Sequence, residues 1–470
     1  MTIKQLFSSI LLLLIAACSG GISGSGGQPT GFSIGPIDGF GSVIVNGVRF
    51  ESSSATFTKD GVASSQSEFR VGQVIELSGD FGSRVASSVT YRSEIKGPVT
   101  SVTVTDPTLG LGTLVVLGQT VRVNAQTVYD GTSLGSISTG NLLEVSGPRT
   151  ADGSVVATYL EAKSLLPEYK VVGTATNATS TTFNIGGLSV NYSSADTSDL
   201  PGGVVNNGDR VEAKTDPAGF SAPSSFVANK VEPANGPSGQ SGARLELEGY
   251  ITNFAGPGDF RVLNFPVRTD SGTNFISGSA ASLANNVKVQ IKGSIAGDGV
   301  LRADSCEIQS SGAIRTEWEV ESFDVGASTV TVLGVQWQIR SSTELEDDSS
   351  ANVDPFTLAD LNVGDLVQIR GFLDGTTPVA SRFERDDPQS DARLRGPVTS
   401  VTIGGSFDFE ILGTGIRSDG STIHRDENDA VISQSAFFAA LSEGVFVDAK
   451  WDPFSGTSGA ADELSLEFDD

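Results

Sequence analysis

The sequence predicts an all-β chain built as a tandem array of six small five-stranded barrels, and three observations predict it. The octapeptide GDLVQIRG at 364–371 returns as GQVIELSG (72–79), GNLLEVSG (140–147), GDRVEAKT (208–215), NVKVQIKG (286–293) and GVFVDAKW (444–451). The first residues of successive copies lie 68, 68, 78, 78 and 80 apart, and so regular a period marks a repeated supersecondary unit. Within every copy two apolar positions flank a polar one, a period of two that belongs to a strand. Upstream of every copy, β-forming residues surround a two-residue tip suited to a tight hairpin, such as Asn46-Gly47 or Gly186-Gly187.

Each element of the unit has its own signal. The opening strand is clearest as GPVTSVTV (97–104) and GPVTSVTI (396–403), whose shared GPVTSV ties distant units to one ancestor. The hairpin follows, with further tips at Leu117-Gly118, Leu263-Asn264, Leu333-Gly334 and Leu412-Gly413. Some copies then carry a short helix-like piece, in SAASLANN (279–286), TLADLNVG (357–364) and SAFFAALSEG (435–444). The core strand comes next, with Ile75 and Leu77, Leu143 and Val145, Val211 and Ala213, Val289 and Ile291, Val367 and Ile369, and Val447 and Ala449 facing inward. Between them stand Glu76, Glu144, Glu212, Gln290, Gln368 and Asp448, expected on a face wetted by solvent. An Ala followed three residues on by an apolar side chain closes the unit, as in Ala157 and Leu160 or Ala380 and Phe383. Five strands with a helical piece between the third and fourth is the order of an OB-type Greek-key barrel.

The first 17 residues have the form of a secretory signal: Lys4, then an apolar run to Ile15 that is too short to span a bilayer. Ile15-Ala16-Ala17-Cys18 resembles the bacterial lipobox, which predicts cleavage before Cys18 and its lipidation. Two or more acyl chains suffice for stable anchoring. Ser19 stands where an inner-membrane retention Asp is expected, so the outer membrane is the predicted destination. Residues 18–31 form a Gly/Ser tether. The barrels are expected at 32–94, 95–168, 169–243, 244–315, 316–392 and 393–470, with a linker from Glu232 to Ala243 after the third. Cys306 fills a core position taken elsewhere by Val, Leu or Phe, so a buried, inert thiol is expected there.

Charge excludes one common use of such barrels. Residues 1–240 hold 14 Lys/Arg against 19 Asp/Glu, and residues 241–470 hold 16 against 37, for a net charge of −26. Single-stranded nucleic acid needs a basic groove with aromatic platforms, so nucleic-acid binding is not expected.

Catalytic signals are sparse. The one histidine, His424, would have to serve any Ser/His/Asp site, and its place in the last unit reads as incidental. Neither zinc-ligand spacing nor a phosphate-binding loop is present, and no metal or cofactor is expected. Acidic clusters at Glu346-Asp347-Asp348, at Asp386-Asp387 with Asp391, at Asp426-Glu427 with Asp429, and at Asp469-Asp470 read as solvated loops rather than calcium sites. Trp451 takes the place of the Gly that closes the core strand in four of the six copies, which makes it the candidate exposed platform for a ligand. Trp337, by contrast, reads as core.

The repeated G-D-x-V-x-(I/V)-x-G strand and the later Ala-x-x-apolar element make the chain similar to the bacterial domain-of-unknown-function family numbered 5666. The resemblance is clearest around 97–163 and 316–384 and weakest in the last unit, where Trp451 and an acidic insert depart from it. It implies tandem β modules in an exported, often lipid-anchored protein, and no catalytic residues. The functional expectation is a non-catalytic, lipid-anchored envelope protein whose barrels bind a polysaccharide or an extended peptide. The alternatives are a structural spacer or assembly scaffold, and a carboxylate-based glycan hydrolase with two acids converging in one pocket.

Overall fold

A computed structural model describes residues 31–467 apart from 41, 108–109, 235–240, 277, 310–313, 354 and 427–429. The predicted signal, Cys18 and most of the tether lie outside the described residues, as do six residues of the predicted linker. Glu232 and Pro233, assigned to that linker by its composition, instead belong to the strand Lys230–Pro233. No helix among the described residues is long and apolar enough to cross a membrane.

The chain is all-β, and its barrels close. In the second unit the opening strand Ile95–Asp106 pairs antiparallel with Leu111–Val116, which pairs with Gln119–Val123. That third strand runs parallel to Val155–Val156, and its continuation Val128–Asp130 runs parallel to Tyr159–Lys163. Tyr159–Lys163 pairs with the core strand Leu142–Ser146, which returns to Ile95–Asp106 and completes the ring. This is the OB order, and it removes free edges by closure. The same order runs through the strands from Gly31 to Tyr91 and from Arg244 to Gln309. The helix-like pieces are mostly single 3-10 turns, such as Ala280–Ser282 and Leu358–Asp360, each closed by a capping box. Among the described residues only Gln434–Ala440 is an α-helix.

The two glycines of the repeat have distinct physical reasons. The leading position holds a left-handed backbone, with φ +84 at Gly72, +93 at Gly140 and +90 at Gly364. Asn286, the one substitute, keeps φ 72, as Asn tolerates that region. At the closing glycine the neighbouring strand bulges inward. A Cβ on Gly79, Gly147, Gly293 or Gly371 would lie 1.8–2.3 Å from the carbonyl oxygen of Val85, Val156, Arg302 or Val379.

The paired apolar residues of the core strands are each at most 1% exposed, so they do point inward. The polar residues between them correct the sequence expectation. Glu144 and Asp448 are 1% exposed and Glu212 and Gln290 are 7%, while Glu76 and Gln368 are half-buried, so four of the six are covered rather than wet. Glu144, for one, is enclosed by Lys59, Lys96 and Lys163. Barrels also pair through their opening strands: Gly31–Ile34 runs parallel to Arg244–Leu247, Ile95–Lys96 antiparallel to Lys170–Val171, and Arg315–Glu317 antiparallel to Arg393–Arg395. Each pairing carries a sheet from one barrel into another. The first barrel thus joins the fourth across the predicted linker.

Candidate functional site

The cavity with the most chemistry lies where the units at 32–94, 95–168, 244–315 and 316–392 meet. Its volume is about 550 Å³, within the range of small-ligand sites. The parallel pairing of Gly31–Ile34 with Arg244–Leu247 sends both opening strands to the same end, which brings Asp38 and Glu248 to one wall. Lys288 begins the neighbouring core strand, opposite Tyr250 on one side and Gln309 on the other. From the second unit comes Gln126, fixed in a turn where its own N–H donates to Asn124 Oδ1 at 3.0 Å. The fifth unit contributes Arg340 and the hairpin end carrying Phe372 and Asp374.

Most charges on this wall are tied to one another. Lys288 Nζ lies 3.0 Å from Glu248 Oε1 and donates to Gln126 Oε1 at 3.1 Å. Burial works to lower the Lys288 pKa, but Glu248 and Tyr250 outweigh it, and the ammonium is held above its usual value. Arg340 is paired with Asp374. Asp38 is different: burial, with Glu248 close by, pushes its carboxyl up to about 7, against the opposing pull of the Gly47 N–H and Arg340. Two amide atoms of lining residues lie behind this wall without partners. Gln126 Nε2 and Gln309 Oε1 are buried and accept or donate no hydrogen bond, in side chains 9% and 7% exposed.

A second cleft, lined by Arg149, Arg210, Arg261 and Glu94, is internally satisfied. Arg149 Nε and Arg210 Nη2 lie 3.1 and 2.5 Å from the two oxygens of Glu94, and Arg261 donates to the Asn264 carbonyl. Burial alone would raise Glu94, yet these two arginines hold it below the usual carboxylate range.

The residues singled out by sequence fall elsewhere. Trp451 is 2% exposed, packed edge-on against Phe454 at 5.5 Å, and cannot serve as an exposed platform. Its backbone lies opposite Ala392 in the opening strand of the same unit. Trp337 is core, as expected, and its Nε1 donates to Thr316 Oγ1 at 2.9 Å. His424 is 3% exposed beside Phe437 and Phe438, where burial lowers its pKa. The Cys306 thiol is buried and pushed up to about 12 by desolvation, as an inert core cysteine should be. Among the acidic clusters, the carboxylates of Glu346, Asp348 and Glu384 lie within 4.8 Å of one another, but Arg382 reaches Glu346 and Glu384 at 2.5 and 2.6 Å and supplies the countercharge. Asp347 is bound by Arg385. Glu427, Asp429 and Asp469-Asp470 lie outside the described residues.

Sequence reasoning missed every member of the cavity. Its residues come from four units and sit at non-equivalent positions of the repeat, so no periodic signal marks them.

No curated protein matches the chain. A family model described as "Domain of unknown function (DUF5666)" matches residues 34–90, 96–161, 248–307 and 319–384, more than half of the sequence. These spans coincide with the four barrels whose junction forms the cavity. The chain therefore belongs to the DUF5666 family, as a tandem-repeat member in which copies of that domain pack against one another.

Proposed function

We propose that this chain is a non-catalytic binding protein of the cell envelope, held by a lipidated Cys18 at the outer membrane, and that it engages an extracytoplasmic polymer in the cavity between its barrels. The observation that carries this reading is a cavity of about 550 Å³ where four barrels meet, lined by Asp38, Glu248, Lys288 and Asp374.

Location and binding are tested separately. Replacing Cys18 with Ala should move the protein from the membrane to the soluble fraction of cells; unchanged membrane association would remove the anchor. A glycan and peptide array probed with the full chain should give saturable binding, and silence across both classes would count against the binding role.

One observation favours a second reading, carboxylate-based glycan hydrolysis. Asp38, protonated up to about pH 7, shares a cavity with Glu248 and Asp374. A raised acid beside other carboxylates is the arrangement in which Asp38 donates a proton to the glycosidic oxygen as its bond to carbon breaks, while Glu248 takes a proton from attacking water. Release of reducing ends that disappears in Asp38→Asn would replace the binding reading by this one.

A further inference from the structure

We infer that the cleft between the fifth and sixth barrels is a docking site for a basic protein segment, which seats a lysine or arginine side chain beside Trp318, Glu319 and Glu321. The cleft shares no lining residue with the four-barrel cavity and does not rest on the reading of that cavity.

A departure from the repeat comes first. In five barrels the opening strand places a glycine opposite the first of the paired apolar residues of the core strand: Gly35, Gly97, Gly173, Gly249 and Gly396. A Cβ on Gly97, Gly249 or Gly396 would lie 2.4–3.0 Å from the leucine at its own hairpin tip. The fifth barrel instead puts Trp318 there, opposite Val367. Trp318 and the tip leucine Leu333 line a cleft of about 400 Å³, to which the sixth barrel adds Phe454. The Phe454 ring meets the indole edge-to-face at 4.7 Å and fixes its orientation. Trp318 stays half-buried, whereas Trp337 and Trp451 are enclosed.

Charge comes second. Glu319 and Glu321 are exposed and line the same cleft, whose lining holds neither Lys nor Arg. Among the described residues neither carboxylate is ion-paired. Both Glu321 oxygens accept from the Gly334 N–H at 3.2 Å, which pins that carboxylate beside the hairpin tip. An indole beside two uncompensated carboxylates offers an ammonium or guanidinium cation–π and Coulomb attraction together. The wider surface selects the partner that carries it. Residues 241–470 hold 37 Asp/Glu against 16 Lys/Arg, a field that steers and retains a chain with many positive charges. A second copy, with its own net charge of −26, would be repelled.

The test follows the intrinsic fluorescence of the full chain during titration with oligolysine, oligoarginine, oligoglutamate and spermine. Trp318 is the one tryptophan not enclosed, so its emission reports on this cleft. The expected result is a saturable change with the two basic peptides and none with oligoglutamate, weakening as salt rises. Affinity should fall about tenfold in the double variant Glu319→Gln/Glu321→Gln. It should hold in Asp259→Asn/Asp304→Asn, which removes as much charge from exposed positions elsewhere in the acidic half. In the wild-type protein the basic peptides should also shield Trp318 from acrylamide quenching, a readout that needs no variant. Equal loss in the two double variants would assign binding to the general acidic field and overturn the site. Spermine binding as tightly as the peptides would overturn the protein partner. Basic peptides that leave both emission and quenching unchanged would overturn the inference, whatever the four-barrel cavity binds.

Discussion

Two junctions between barrels put like charges face to face, and they handle them differently. Where the second barrel meets the third, Lys96 stands directly opposite Lys170. Where the fifth meets the sixth, Arg315 stands opposite Arg395. Directly opposed like charges destabilise a sheet unless countercharges surround them. At the first junction they do. Asp60, reaching in from the first barrel, binds both lysines, with Glu212 at 3.1 Å from Lys170 and Glu144 at 3.4 Å from Lys96. At the second, Glu317 lies 2.8 Å from Arg315 and Glu467 3.8 Å from Arg395, but Arg315 Nε and Nη1 are buried without partners. The difference lies in how a third barrel takes part: Asp60 binds both lysines directly, whereas Asp106 of the second barrel adds its charge at Arg315 without satisfying Nε or Nη1.

That contrast is breakable, most severely at Asp60. Asp60→Ala strips both lysines of a shared partner, Lys170 being only 2% exposed, and should lower stability by about 3–5 kcal/mol in urea titrations. A loss under about 1 kcal/mol would mean that Glu144 and Glu212 suffice. Next comes pH, where two carboxyls act with opposite sign. Burial alone would raise Asp60, but Lys170 and Lys96 hold it below the usual carboxylate range. Its contribution is therefore present above pH about 4 and lost as pH falls through and below that value. Asp38, raised to about 7 by burial with Glu248 and Asp374 adding, contributes most below pH about 4 and loses its contribution as pH rises toward 7. Asp38→Asn should accordingly flatten the decline in melting temperature between pH 5 and 8 while leaving the acid limb in place; an unchanged slope would show that Asp38 titrates normally. Smaller effects are expected at the poorer junction. Trp451→Phe removes an indole whose buried Nε1 has no partner, and should cost less than about 1.5 kcal/mol with ligand binding intact. Smallest is Arg315→Met, which should shift stability by less than about 1 kcal/mol because the removed guanidinium is incompletely paired and Glu317 keeps the Gln389 amide at 2.6 Å. A loss above about 3 kcal/mol there would make the two junctions equivalent after all.

How much of this was legible beforehand follows from the range of the forces involved. Alternation and turn chemistry act within a hairpin, so Val367 and Ile369, or Leu143 and Val145, announce their own burial. Glu144 has the same local setting as a solvated strand residue; only Lys59, Lys96 and Lys163, two of them far away in sequence, show that it is enclosed. Trp451 failed for a related reason. Its departure from the repeat marks a change in packing, with the ring buried against Phe454 rather than presented to solvent. The cavity lies beyond both kinds of signal, because Asp38, Gln126, Lys288 and Asp374 meet only once four barrels have docked.

The parallel register of Gly31–Ile34 on Arg244–Leu247 has a temporal side. Synthesis proceeds from the N-terminus at about 5–20 residues per second, so the first barrel, complete at Tyr91, waits roughly 8–30 s for the strand that will sit beside it. Meanwhile its neighbours in the growing chain pair with each other, and a bare row of amides and carbonyls stays open to any passing strand. Assembly of this molecule thus has a vulnerable interval written into its connectivity, and a helper that shields that flank would act during it.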